Sequence, residues 1–169
     1  MSFNPLSLDD IGLLLERETH VNSNFEKIVR FSGGSYEQAL LLCEDGTLDL
    51  FTSLIRSLTD YICKRDILVF EVDELLKRTH AENVLSVLIN MFEAMLLEVY
   101  SQELIFFNSF TIPSEKDIIK MIKILMLMHK GFVYNINFYN TLKAMMYSFD
   151  SFPTFGIPNL ENALGGALL

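Results

Sequence analysis

The side chains that most often carry chemistry are thinly spread in this chain. His20, His80 and His129 are far apart in the sequence, and no two of them share the i, i+4 spacing of a helical zinc site. Cys43 and Cys63 match no metal-ligand spacing, so we expect both to be small buried hydrophobic residues. The sequence therefore predicts no metal site.

Phosphate-binding and acid–base motifs are also not found in the sequence. Gly33-Gly34 lacks the preceding strand and the lysine of a phosphate-binding loop. The acidic pairs lie beside basic residues, as on solvated helix faces; they are Asp9/Asp10, Glu16/Glu18 and Glu71/Glu74. We predict no catalytic residue and no cofactor, and a small helical enzyme with an unrecognised site is the weakest of the hypotheses.

Composition narrows the classes of partner. The chain has 169 residues, 13 Lys and Arg against 22 Asp and Glu, a formal charge of −9 and 50% hydrophobic residues. This charge repels phosphate, so no direct nucleic-acid contact is expected.

The N-terminus has no basic and apolar leader, and four polar residues interrupt the apolar stretch Val84 to Tyr100, so we expect a cytoplasmic protein without a membrane span. So large a share of hydrophobic residues in a small protein favours an apolar surface that binds other proteins.

Helix signals predict an all-α fold that begins with three short helices. Ser7 and Asp10 form a capping box before the first helix, and Gly33-Gly34 ends the second. Ser35 caps the third, which Gly46 ends.

Longer helices follow. Thr47 is a candidate cap for a helix through Ile62; Ile67–Lys77 fits a helix better than a strand, and a central helix runs from Ala81 to about Phe107. After Pro113, Ser114 and Asp117 form a second capping box for a helix over 115–130, and a last helix covers 137–149.

Four segments resemble a known family. These are Phe31-Ser32-Gly33-Gly34-Ser35-Tyr36-Glu37-Gln38-Ala39-Leu40-Leu41-Leu42, the entry Asn4–Ile11, the long helix from Glu82 to Phe107, and Asn135–Met145. Together they resemble the lid and collar regions of bacterial DNA polymerase III clamp-loader subunits, most closely the delta-prime type. The resemblance implies a lid-like unit over 1–46, separable near Gly46, and a collar domain over 47–150. The proline and glycine residues of 151–169 predict a flexible tail.

The resemblance also implies a role and partners. Gln38 stands where motor-type subunits carry a nucleotide-sensing arginine, and a neutral amide cannot neutralise a γ-phosphate, so a non-hydrolysing subunit is implied. The implied partners are the gamma/tau-type and delta-type subunits of a five-subunit loader. The family's nucleotide-binding domain would precede Met1.

The end of the central helix supplies the interface candidates. Tyr100 and Leu104 extend its apolar surface, and Phe106, Phe107 and Phe110 follow just before Pro113, where exposure is expected. The alternative function is a stand-alone helical adaptor with an apolar groove for a partner helix.

Overall fold

The structure is a computed structural model that describes residues 6–18, 24–65, 72–131 and 137–151. Within these ranges it is all-α, as the sequence predicts, with eight helices and no strand. The helices are α1 (Leu8–Glu18), α2 (Phe25–Phe31), α3 (Tyr36–Cys43), α4 (Thr47–Lys64), α5 (Asp73–Arg78), α6 (Ala81–Ser101), α7 (Glu115–Gly131) and α8 (Phe138–Tyr147).

The predicted caps of three helices are confirmed. The Ser7 hydroxyl accepts a hydrogen bond from the Asp10 amide (3.1 Å) ahead of α1, and the Ser35 hydroxyl accepts one from the Gln38 amide (3.3 Å) at α3. Ser114 and Asp117 make the same pairing at α7, with an amide-to-hydroxyl distance of 3.2 Å. Local sequence signals therefore place these three starts correctly.

The prediction that Thr47 caps α4 is wrong. The N-cap residue is Gly46, whose φ of +72° is a left-handed conformation that glycine adopts without a Cβ penalty. Thr47 is the first helical residue and is buried, and its hydroxyl accepts a hydrogen bond from Arg78 (2.8 Å). The side chain thus joins α4 to the end of α5.

Helix α6 is the centre of the bundle, because it packs most extensively against α7 and also contacts α2, α4 and α5. The prediction that α6 continues to Phe107 is wrong, because Gln102 takes a left-handed conformation (φ +59°) and ends the helix after Ser101. The residues that follow, 102–114, form an irregular connection that we call the α6–α7 loop. Its aromatic residues turn back onto the bundle, with Phe107 packed against Phe31 of α2.

The remaining helices close the bundle. Helix α5 covers the second half of the predicted helix over Ile67–Lys77, whose first residues lie outside the described part. Helix α8 is shorter than predicted, but Phe149 beyond its end is buried. The ammonium of Lys120 lies 4.7 Å from the Phe149 ring centre, which fixes the chain after α8 against α7. The predicted tail over 151–169 lies outside the described residues, except for its first residue.

The core is continuous across Gly46. Buried side chains of α1 to α3 and of the later helices form one hydrophobic cluster, and α2 packs directly on α6. A lid-like unit over 1–46 that folds apart from 47–150 stays a prediction, and this packing counts against it and against the family resemblance.

Among the described residues, α6 is the one helix that is long and apolar enough to suit a membrane span, which is weak evidence by itself. Half of its most apolar stretch is buried in the bundle.

The two cysteines differ in exposure. Cys63 is exposed, so the prediction that it is buried is wrong, whereas Cys43 is half-buried.

Asp60 on α4 anchors the α6–α7 loop. Its carboxylate accepts hydrogen bonds from Lys64 (2.8 Å) and from Thr111 of the loop (2.8 Å). These two bonds lower the pKa of Asp60 below its ordinary value of 3.8. Because the folded-state pKa is the lower one, the stabilisation is full above the unfolded pKa and is lost as pH falls through the folded value.

We therefore expect Asp60→Asn to lower the free energy of unfolding at neutral pH by up to about 1 kcal/mol. The difference from the unmodified chain should shrink below about pH 4 and disappear once Asp60 is protonated in both states. Urea titrations across this range measure it. Thr111→Val should reduce the part of the unfolding free energy that depends on pH. A difference between Asp60→Asn and the unmodified chain that stays constant down to pH ~2 would contradict the role assigned to Asp60.

Candidate functional site

The turn between α2 and α3 lies in one of the four segments that resemble clamp-loader subunits. Gly33 and Gly34 have φ values of +57° and +85°, as the predicted helix stop requires. The Ser32 hydroxyl donates to the Val29 carbonyl (2.8 Å), and the Leu6 amide donates to the Gly34 carbonyl (3.1 Å). The turn is therefore held from both sides.

Asn90 of α6 ties this turn to the central helix. Its side-chain amide donates to the Phe31 carbonyl (3.1 Å) and to the Gln38 side-chain oxygen (3.0 Å). The fit is close, because a Cβ on Gly33 would lie 2.4 Å from the Asn90 nitrogen. The sequence did not indicate this link between α6 and the turn, although a single asparagine among apolar neighbours was the available signal.

Gln38, which the sequence resemblance places at a nucleotide-sensing position, is thus engaged within the chain. Its side chain is half-buried and its oxygen is taken by Asn90. A cleft of about 340 Å³ opens beside this pair, and His129, Lys130 and Ser86 contribute to its wall. His129 lies in the last turn of α7, and its Nε2 is 3.3 Å from the hydroxyl of Ser86. This histidine is therefore held by a side chain of the adjacent helix α6.

We expect Gly33→Ala to lower the free energy of unfolding by about 2 kcal/mol, since alanine is strained at positive φ and its Cβ displaces Asn90. In an Asn90→Ala background the same change should cost only about 1 kcal/mol, because the collision is gone. Denaturant unfolding of the four proteins of this double-mutant cycle gives the difference.

Gly12→Ala is the matched control. Gly12 lies inside α1, and an added Cβ would meet the Phe25 ring at 3.6 Å, an ordinary contact. This variant should therefore gain about 0.5–1 kcal/mol from helix propensity. Equal costs of Gly33→Ala with and without Asn90 would show that the two positions are not coupled.

Glu98 organises the start of the α6–α7 loop. It is only 7% exposed, and its carboxylate accepts the backbone amides of Ile105 (2.9 Å), Phe106 (3.0 Å) and Phe107 (3.3 Å). A carboxylate that accepts several backbone N–H groups makes strong, charge-assisted hydrogen bonds. This acceptor competes with continuation of the helix and explains why α6 ends early.

The structure separates the five interface candidates. Tyr100 and Leu104 are exposed, and Phe106 and Phe110 are half-buried. Phe107 is 0% exposed, with its ring centre 5.7 Å from Phe31 and 5.3 Å from Phe110, so the prediction that it is exposed is wrong. The Glu98 hydrogen bonds turn its side chain inward.

Tyr100 has a partner within the chain. Its hydroxyl donates to the carboxylate of Glu115 at the start of α7, and this bond raises the pKa of the tyrosine. The ring remains exposed, as does Leu104 in the α6–α7 loop, and we call these two side chains the terminal face of α6.

A groove of about 840 Å³ lies between α1 and α2 on one side and the end of α6 with the α6–α7 loop on the other; we call it the α1/α6 groove. Leu13, Leu97 and Ile105 line it and are 57%, 52% and 61% exposed. The sequence could not locate this groove because its walls come from segments more than eighty residues apart, as Leu13 and Leu97 show.

Within the described ranges, no group of three or more His, Cys, Asp or Glu side chains is placed to hold a metal ion. Buried side-chain nitrogen and oxygen atoms there all have hydrogen-bond partners. No protein-family model, no curated protein and no solved structure matches the chain.

Proposed function

We propose that this chain is the lid-like and collar-like region of a delta-prime-type clamp-loader subunit, and that it holds that subunit in a five-subunit loader of the DNA polymerase III type. The observation that supports the proposal is the place of Gln38, a neutral side chain whose oxygen accepts a hydrogen bond from Asn90 of α6, at the position that the resemblance gives to a nucleotide-sensing arginine. The single core across Gly46 counts against the proposal. The proposed setting is the cytoplasm, where replication takes place.

Gln38 supports a role without ATP hydrolysis. Its amide carries no charge, and its oxygen accepts a hydrogen bond from Asn90. An arginine at this position would bring a fork of donors suited to phosphate, whereas the Gln38–Asn90 pair is occupied with packing one helix on another. The role assigned to the chain is assembly, with no catalytic residue and no cofactor of its own.

The terminal face of α6 is the proposed contact with neighbouring subunits. Large exposed apolar side chains on adjoining positions are a frequent mark of protein interfaces, and tyrosine is enriched there. The acidic charge of −9 fits a part of the loader that lies away from the duplex.

Co-elution with purified gamma/tau-type and delta-type subunits tests the proposal. The chain should enter the complex, and Leu104→Glu should lower the fraction that enters at least about tenfold, because a carboxylate would be buried at the contact. Tyr147→Glu is the matched control, since Tyr147 is exposed on a different helix, α8, where its ring packs on Tyr61. Failure of the unmodified, folded chain to enter the complex would overturn the proposal.

A further inference from the structure

The α1/α6 groove is an apolar surface without a partner in the described part of the chain. Leu13, Leu97 and Ile105 are each more than half exposed within it. Full burial of a leucine or isoleucine side chain is worth about 1.5–3 kcal/mol, so leaving three of them in water is unfavourable. The volume of about 840 Å³ is comparable to that of about two turns of α-helix.

The charged residues of the groove specify the occupant further. Asp9, Glu26 and Glu103 are exposed carboxylates on its walls, and Arg30 is the cationic side chain among the lining residues. A fourth acidic residue, Glu98, has its carboxylate taken up by three loop amides. The accessible charge of the walls is therefore negative, and it complements a cationic partner.

We propose that the α1/α6 groove binds a basic amphipathic helix of another protein. Leucine-type side chains at i, i+3, i+4 and i+7 of that helix would cover Leu13, Leu97 and Ile105. Lysine or arginine side chains on its flanks would approach Asp9, Glu26 and Glu103. The proposal is independent of the clamp-loader assignment, because it rests on the groove alone.

Charge also argues against a second copy of this chain as the occupant. Each copy carries −9, so two copies repel, and the groove of one would meet an acidic neighbour. A cationic helix gains attraction from the same field. The energy of this attraction falls as salt screens the charges.

The test uses the full chain and two fluorescent peptides of about 18 residues, long enough for a helix that spans the groove. Both have the same leucine face; one has lysine flanks and the other has glutamate flanks. Fluorescence anisotropy should show binding of the lysine peptide, at least about tenfold weaker binding of the glutamate peptide, and weakening with salt.

Variants locate the binding site. Leu97→Asp should weaken binding of the lysine peptide at least about tenfold, and Glu26→Lys should reduce its salt dependence. Both side chains are exposed, so the fold should persist, and circular dichroism checks this. Met126→Asp, which changes an exposed apolar residue outside the groove, should bind like the unmodified chain.

Three outcomes overturn the proposal. The first is that the chain binds both peptides equally, or that the Leu97→Asp and Met126→Asp variants bind the lysine peptide equally. Either result would place any binding outside the groove. The second is a concentration-dependent dimer that Leu97→Asp abolishes, which would make a second copy the occupant. The third is lysine-peptide binding that appears only after deletion of residues 152–169, which would assign the groove to the chain's own C-terminal segment.

Discussion

Phe107→Ala should lower the free energy of unfolding by about 4 kcal/mol, the largest effect we expect from a single side chain outside the helices. Phe107 is 0% exposed, and its ring packs on Phe31 of α2 and on Phe110. Truncation leaves a cavity where the α6–α7 loop meets the bundle. The cost combines the transfer free energy of the phenyl group with the dispersion attraction that the side chains lining the cavity no longer have.

The control for Phe107→Ala is Ile105→Ala in the same loop. Ile105 is 61% exposed, and its backbone amide still donates to Glu98 after the change, so the effect should stay within about 0.5 kcal/mol. Urea unfolding followed by circular dichroism measures both. Similar small losses of stability for the two variants would mean that Phe107 is on the surface, as the sequence predicted.

Glu98→Gln should lower the free energy of unfolding by about 2 kcal/mol. The Oε2 atom of Glu98 accepts the amides of Ile105, Phe106 and Phe107 from a nearly buried position, and Oε1 accepts only that of Phe106. A glutamine oxygen can take the place of Oε2, but the side chain loses its charge and turns an NH₂ group towards the Phe106 amide, so all three hydrogen bonds become weaker.

Glu93→Gln is the matched control for Glu98→Gln, because Glu93 is on the same helix and is exposed. It should change stability by less than about 0.5 kcal/mol. Hydrogen exchange adds a local measurement, since the three loop amides should exchange faster in Glu98→Gln and at an unchanged rate in Glu93→Gln. Equal effects of the two variants on stability and on exchange would show that Glu98 does not hold the loop.

Predictions from the sequence succeed where the cause of structure is local. The capping serines at positions 7, 35 and 114 and the left-handed glycines at 33 and 34 are recognisable from a few neighbouring residues. The same is true of α7, whose observed bounds Glu115–Gly131 lie within one residue of the predicted helix.

Predictions from the sequence fail where the end of a helix depends on a residue outside the local pattern. The sequence from Ser101 to Phe107 has no glycine or proline to end a helix, so propensity alone extends α6. The stop comes from Glu98, which accepts amides seven to nine residues ahead, and Phe107 turns inward as a result. The expected exposure of Phe107 was wrong for this reason.

The candidate site was predictable only in part. Gln38, Tyr100 and Leu104 were singled out in the sequence, because a turn motif and an apolar helix end are local patterns, and their role stays a prediction. The hydrogen bond between Gln38 and Asn90 links residues 52 positions apart, and the α1/α6 groove is lined by residues from both α1 and α6. Neither has a short-range signature.

Native mass spectrometry of the chain mixed with gamma/tau-type and delta-type clamp-loader subunits is the decisive experiment for the proposed assembly role. We expect a five-subunit complex that contains one copy of this chain, and no nucleotide bound to the chain by itself. A chain that remains outside every complex at concentrations where the other subunits assemble would contradict the clamp-loader assignment.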